Sequence, residues 1–510
     1  MFKTLISKVF LIFYFLFFFP FSVFSNPSSP LKNNVAVTAH SLATQAGIQM
    51  YQKGGNAVDA AVAAAFALGV VEPHNSGIGG GGFMMIYLSS EKKTVILDYR
   101  EVAPFLVHPN TYADQSSTVG YSAIAVPGEV LGLTEALKKY GSLTLKEVMK
   151  PAMAYAEEGF HISPLLEKRI QSRQECLRRF DSTRKIYFQN EIPLKAQETL
   201  IQKDLAKTLR LISKKGPEVF YQGRIAQKID HEMKKNQGLI RLKDLKDYQV
   251  KERTPLFTNY RGYELVLMPL PSSGGILLTK MFQEMEKKTL ASGGSWKEAE
   301  LLMRTMKSAF KERMGLGDEG GNTTHASFVD QEGNAVSMTN SLNLPFGSCV
   351  TIAGTGILMN DQMDDFATTP TPNAFGLVQG AVNQVAAGKR PLSSMSPTIV
   401  FKEGQPVYVL GSPGGPTIIS NVFQVLVNLI DHHLSLEEAI AKPKLHHQYQ
   451  PDVIRYEKNY PSLILQKFEK KGFHLESSES WGNVQAIEIN WNTHFAHGVS
   501  DPRGEGVAKE

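Results

Sequence analysis

The chain has 510 residues, 42% hydrophobic and 20% charged, an ordinary globular composition with room for a large core or two domains. Its formal net charge of +5 is small for that length, and no Lys/Arg stripe with interleaved aromatics occurs, which argues against nucleic acid as a partner. Two cysteines, Cys176 and Cys349, do not make a disulfide framework, and no CxxC or HExxH spacing points to zinc.

Lys3 and Lys8 precede an apolar run from Val9 to Phe24, broken by Pro20, with Ser25 ahead of Asn26. This layout predicts a signal peptide over residues 1–25, because the run is shorter than the roughly 20 residues that span a bilayer. An exported product, periplasmic or secreted, is expected. Asn34 to Ala39 reads as a strand, and Ser41 to Lys53 as a helix stopped by Gly54-Gly55. Asn56 to Val71 is Ala-rich and apolar nearly all round, which predicts a buried helix. Strands follow at Phe83 to Leu88 and Thr94 to Tyr99, and Leu143 to about Gly238 is mostly helical. The Lys-rich stretch from Lys203 to Lys251 also carries Asp and Glu, as a solvated helical surface does. Tyr263 to Met268 is strand-like, a turn at Pro271 to Gly275 leads to a helix near Ile276, and Trp296 to Met314 is another helix.

The texture changes at Thr323. Thr324 to Val329 and Ala335 to Thr339 alternate around the turn Gln331-Glu332-Gly333-Asn334, predicting a hairpin whose first strand opens at Thr323. A second hairpin spans Pro397 to Lys402 and Pro406 to Leu410. The turn Gly411-Ser412-Pro413-Gly414-Gly415 leads into a helix from Thr417 to Ile430, and Val484 to Asn490 with His494 to Gly498 form a last strand pair. Helices before and after central antiparallel strands predict an α/β fold, a four-layer αββα sandwich.

Three motifs mislead. Gly77 to Gly82 matches GxGxxG, but a dinucleotide site needs strand, glycines, helix, and here the order is helix, glycines, strand. The glycines instead permit close backbone packing. Ser308 to Lys311 matches SxxK without a KTG partner. His432/His433 and His446/His447 are adjacent pairs whose side chains diverge, so they read as structural or surface histidines rather than metal ligands.

Asn322-Thr323-Thr324-His325-Ala326-Ser327, then Gly333 to Asn343, then Phe346-Gly347 form a pattern similar to the signature of the γ-glutamyltranspeptidases, members of the N-terminal-nucleophile hydrolase superfamily. The resemblance continues through Asn360 to Phe366, Arg390 to Pro397, Gly411 to Gly415 and Gly498 to Arg503. Upstream it includes Gly54 to Ala61 and Asp98-Tyr99-Arg100-Glu101, so it spans nearly the whole mature chain.

The resemblance implies a precursor that cuts itself between Asn322 and Thr323, giving a large subunit of 26–322 and a small subunit of 323–510. A threonine hydroxyl needs an adjacent base, and an N-terminal α-amine, with a pKa of about 7.7–8.0, supplies one only after the cut. Thr323 is therefore the implied nucleophile. Gly414 and Gly415, between a strand and a helix, are the implied oxyanion hole. For a γ-glutamyl head the resemblance assigns Arg100 to the α-carboxylate with help from Ser393 and Ser394. It assigns Asp365 to the α-ammonium with help from Asn343 and Gln362. Without that context Arg100 and Asp365 read as ordinary surface charges. The implied activity is hydrolysis of glutathione and other γ-glutamyl compounds and transfer to acceptor amino acids or peptides, with no cofactor.

The chain departs from the family at three places. Ser341 stands where a threonine is usual, keeping the hydroxyl near the nucleophile. Phe375, in the stretch Thr369 to Gly376, replaces a lid tyrosine that bonds to the asparagine matching Asn343. Only Glu319 to Asn322 separate Leu316-Gly317-Asp318 from Thr323, where several tens of residues are usual. Two alternatives stay open: a relative with another acyl group, such as a cephalosporin-type acylase or a poly-γ-glutamate-processing enzyme, and an uncut, non-catalytic binding protein.

Overall fold

A computed structural model describes residues 30–290, 293–313, 322–367, 381–479 and 481–510. The signal-like stretch 1–25, the segment 314–321 before the expected cut and the Phe375 stretch lie outside the described residues. No helix among those described is long and apolar enough to cross a membrane.

The strands that build the two large sheets are, in chain order, β1 (Val35–Thr38), β2 (Gly81–Leu88), β3 (Lys93–Asp98), β4 (Lys251–Arg253), β5 (Leu256–Tyr260), β6 (Tyr263–Leu267), β7 (Asn322–Val329), β8 (Ala335–Asn343), β9 (Thr398–Lys402), β10 (Gln405–Gly411), β11 (Gln485–Asn490), β12 (Phe495–Ser500) and β13 (Val507–Lys509). The first sheet has the order β13-β1-β7-β8-β2-β3-β4 and the second β12-β11-β10-β9-β6-β5. Every neighbouring pair is antiparallel.

Three apolar layers hold the sandwich together. One fills the space between the first sheet and helices that include Ser41–Gln52 and Ala57–Val71. A second, with Val35, Phe83, Met85, Met268, Ile399, Val409 and Ile487, lies where the two sheets face each other. The third packs the second sheet against helices including Gly274–Glu286, Trp296–Arg313 and Thr417–Ile430. This is the expected αββα arrangement. The Ala57–Val71 helix is buried along almost its whole length, as its all-round apolar sequence requires.

Polar stitches cross the inter-sheet layer. Ser327 Oγ donates to the Gln485 carbonyl and Ser337 Oγ to the Leu410 carbonyl, each at 3.0 Å. His325 Nδ1 lies 2.8 Å from Thr339 Oγ1. Burial pushes the His325 imidazole down to about 3, so the seam carries no charge there. A Cβ on Gly411 would stand 2.3 Å from His325 Cε1, so only glycine lets β10 close over β7 at this point. The turn Ser412 to Gly415 therefore continues from a strand end packed two residues away from Thr323.

The hairpin is longer than its alternation suggested, with β8 running on to Asn343. Strands β4, β5 and β13 were not expected. Each is short, β4 and β13 lie at sheet edges, and Phe257 of β5 faces outward, so their apolar patterns are weak. Gly81 and Gly82 belong to β2, and a Cβ on Gly80 would meet the Ser341 carbonyl at 2.3 Å, in keeping with close packing rather than a nucleotide loop. The two cysteines form one disulfide, Cys176–Cys349, a pairing the sequence reading did not anticipate.

Asp59 shows how the Gly54 to Ala61 motif serves the fold. Its buried carboxylate caps its own helix by accepting from Asn56 N, and it accepts from Ser142 N, Ser142 Oγ and Leu143 N at 2.7–3.0 Å. Asp59→Ala leaves three backbone donors unpaired. It is expected to lower stability by about 3 kcal/mol or more, measured by urea unfolding.

Candidate active site

The site grows from the β7–β8 pair. Strand β7 begins one residue earlier than expected, at Asn322; Thr323, 2% exposed, follows a register irregularity and pairs with Ser341, their hydroxyl oxygens 3.3 Å apart. Ser341 Oγ also accepts from Asn343 N at 2.9 Å. Asn343 has a left-handed backbone, φ +79°, which turns the chain off the end of β8. Its Nδ2 donates to the Asp361 carbonyl at 3.2 Å, and Asp361 Oδ1 accepts from Leu344 N at 2.9 Å. Burial, with the nearby carboxylates of Asp364 and Asp365, raises the Asp361 carboxyl well above its usual range.

The following short helix, Gln362–Asp365, carries the next two residues. Gln362 Nε2 donates to Asp365 Oδ2, which also accepts from Arg100 Nη2. Arg100 stands two residues past the end of β3. It donates to the Pro391 carbonyl at 3.3 Å and the Leu392 carbonyl at 2.8 Å, which brings the Ser393-Ser394 segment onto the same wall. The surface-charge reading of Arg100 and Asp365 is therefore wrong: they are 1% and 0% exposed and form a buried ion pair. Desolvation explains the correction, since a guanidinium removed from water must be paired and hydrogen-bonded. Two buried amide oxygens, Asn343 Oδ1 and Gln362 Oε1, have no donor among the described residues.

Ser393 accepts at its carbonyl from Ser273 N at 2.7 Å, and its Oγ accepts from Met395 N at 3.1 Å. Ser394 Oγ accepts from Arg313 Nη2. Gly414 and Gly415 have φ of +124° and +59°, conformations that favour glycine. Among the described residues neither N–H donates to a protein acceptor, whereas their carbonyls accept from Thr417 N and Ile418 N as the Thr417–Ile430 helix begins.

The structure thus joins Thr323, Ser341, Asn343, Gln362, Asp365, Arg100, Ser393 and Ser394 into one buried polar tract. Gly414 and Gly415 lie three and four residues beyond Gly411, which packs against His325, two residues from Thr323. Sequence reasoning gave no role to several of its neighbours. Glu101 lies 3.8 Å from Arg100, and burial pushes its carboxyl up to about 8 against the pull of that cation. Asp98 accepts from Arg100 N at 3.0 Å and pairs with Arg253 and Arg390 at 2.7 and 2.9 Å. Both stand in the Asp98 to Glu101 motif, which was the available signal. Arg313 and Glu72 had none, because only folding brings Arg313 to Ser394 and Glu72 to Thr324 Oγ1, at 2.7 Å.

Two face-to-face antiparallel sheets with flanking helices make the architecture of the N-terminal-nucleophile hydrolases. The cephalosporin acylase of Bacillus halodurans superposes with a TM-score of 0.87 at 25% identity, over 98% of this chain and 99% of that one. The model of the gamma-glutamyltranspeptidase family matches residues 43–322 and 318–510. The chain is 37% identical to the glutathione hydrolase proenzyme of Escherichia coli, over 92% of this chain and 90% of that protein. It is 39% identical to that of Pseudomonas aeruginosa, over 90% and 91%. The chain belongs to the γ-glutamyltranspeptidase family.

Beside the start of β7, burial pushes the Glu72 carboxyl from its ordinary 4.5 to about 7, with the Thr324 and Asn75 hydrogen bonds opposing. Folded Glu72 thus binds more protons than unfolded Glu72 between those values. Its contribution to stability is complete below pH 4.5 and is lost as pH rises through 7. Glu72→Gln is expected to flatten the pH profile, removing roughly 3 kcal/mol of the wild-type decline between pH 4.5 and 8, by denaturant unfolding at each pH.

Proposed function

We propose that this chain is the precursor of a glutathione hydrolase and γ-glutamyltransferase that acts through Thr323. The observation that carries this reading is the buried tract itself. A cation (Arg100) and an anion (Asp365) stand beside two amide oxygens that have no donor among the described residues, on the wall that leads to Thr323. A γ-glutamyl head presents one carboxylate, one ammonium and a reacting carbonyl at the far end of a short stem. The α-ammonium meets Asp365, Asn343 Oδ1 and Gln362 Oε1. The α-carboxylate meets Arg100 and the hydroxyls of Ser393 and Ser394.

The reaction runs in two stages. In the precursor the Thr323 hydroxyl attacks the Asn322 carbonyl. The acyl group moves from nitrogen to oxygen, and water cleaves the resulting ester, leaving 26–322 and 323–510 as subunits. In the mature enzyme the new amine takes the Thr323 hydroxyl proton as the oxygen attacks the γ-carbonyl, and returns it to the leaving amine. The N–H groups of Gly414 and Gly415 hold the negative charge that develops on the carbonyl oxygen. Water, or an acceptor amino acid or peptide, then releases the γ-glutamyl group. Ser341 keeps the Thr323 hydroxyl oriented. Export by the leader at 1–25 is part of the same reading.

A second reading, an acylase, rests on the likeness to the cephalosporin acylase. A glutaryl group has no α-ammonium and would leave Asp365, Asn343 and Gln362 without a partner. Glutathione is therefore expected to be cleaved far faster than a glutaryl amide, and the reverse order decides for the acylase.

Purified wild type should give two bands on a denaturing, reducing gel and release glutamate from glutathione, and Thr323→Ala should give one band and no glutamate. Wild type that stays full length and releases none overturns the enzyme reading. Arg100→Lys retains charge but loses the fork that reaches Asp365 and two carbonyls. Its KM for glutathione should rise roughly 10- to 100-fold, the equivalent of about 1.5–3 kcal/mol for hydrogen bonds to a charged group.

A further inference from the structure

We propose that the disulfide Cys176–Cys349 crosses the subunit boundary, so that the mature enzyme is a covalently joined heterodimer. The proposal rests on the cut at Thr323. Cys176 lies in the helix Pro164–Arg178 of the large subunit, and Cys349 lies six residues beyond β8 in the small subunit. They are 173 residues apart in sequence with Cα atoms 5.9 Å apart, and the cut falls between them. Cleavage then produces two chains that denaturation alone cannot separate.

The bridge also bears on the site. The segment from Asn343 to Cys349 leaves the nucleophile hairpin and contains three non-glycine residues in left-handed conformations: Asn343, Phe346 and Cys349, with φ of +79°, +62° and +61°. Such backbone persists only where its surroundings hold it. One end is held at Asn343 by Ser341 and Asp361. The large subunit holds the rest. Arg173, one turn before Cys176, donates from Nε to the Pro345 carbonyl at 3.1 Å and from Nη2 to the Gly347 carbonyl at 3.4 Å. Phe346 is fully buried against Tyr187, their ring centroids 5.1 Å apart, and Thr183 Oγ1 donates to the Cys349 carbonyl at 2.8 Å. The disulfide locks the far end of the same segment. Cys349 is 0% and Cys176 8% exposed, so a thiol such as glutathione has little access to either sulfur in the folded enzyme.

Formation balances as a thiol–disulfide exchange. The two thiols give two electrons and two protons to an external protein disulfide, which leaves as a dithiol, and one S–S bond forms as another breaks. An exported chain meets such an oxidant.

The test uses full-length wild type, Cys349→Ser and Cys176→Ser, each denatured with an alkylating agent and run with and without reductant. Wild type should run as one band of full-chain size without reductant and as two with it, whereas both variants should show two bands in either lane. Two wild-type bands without reductant overturn the bridge and leave the cut standing. A single wild-type band that persists with reductant overturns the cut, and with it the covalent heterodimer. Thiol counting by intact mass covers variants that fail to fold. Denatured wild type should take up no alkyl group before reduction and two after it, and any uptake before reduction overturns the bridge.

Discussion

Burying the Arg100 guanidinium is the constraint from which the rest of the site follows. A charge removed from water is tolerated only with opposite charge and acceptors around it. Arg100 satisfies that condition with Asp365 and the carbonyls of Pro391 and Leu392, and Glu101 stands close by. Those partners come from the end of β3, the short helix after β8 and the strand-free segment before β9. One ion pair therefore draws three distant segments onto one wall. Burial pushes the neighbouring Glu101 carboxyl up to about 8, and Asp365 is the carboxylate that bonds directly to the guanidinium.

The sheets position Thr323 by a different means. Strand β7 is interior to its sheet: β8 pairs it from Asn322 to Val329 and β1 from Ala326 to Val329, so Thr323 itself is held by β8, and the ladder on the other side begins three residues further on. The seam of His325, Ser327 and Ser337 fixes the second sheet over it, and Gly411 lets β10 pack close against His325. The first sheet also alternates between the two halves of the chain. In its order, β13, β7 and β8 follow Thr323 in sequence, and β1, β2, β3 and β4 precede it. A cut before Thr323 therefore leaves both parts interleaved. The Cys176–Cys349 bridge adds a covalent link to an assembly already held by shared strands.

Much of this was legible locally. The all-round apolar run from Ala57 to Val71 announces a buried helix, and the glycine turn at Gly333 between alternating segments announces β7 and β8. The helix from Thr417 to Ile430 stands where its pattern puts it. The short edge strands β4 and β13 were not legible, because three residues with exposed positions carry no periodicity. The environment of Arg100 was misjudged without family context because charge alone says nothing of burial, and its nearest anion is 265 residues away.

By itself the sequence determined the local elements, their order, and the kinds of groups available: a hydroxyl at a strand start, glycines between strand and helix, a forked cation and a carboxylate. Backbone propensity and short-range periodicity act over a few residues, so they can be read in the chain as written. Only the tertiary structure decided which groups meet. Arg313 and Ser394 are 81 residues apart, and Cys176 and Cys349 are 173 apart. Contacts at such separations depend on how sheets stack and helices dock over them. That packing is set by burial across the whole chain, not by any segment that forms the contact.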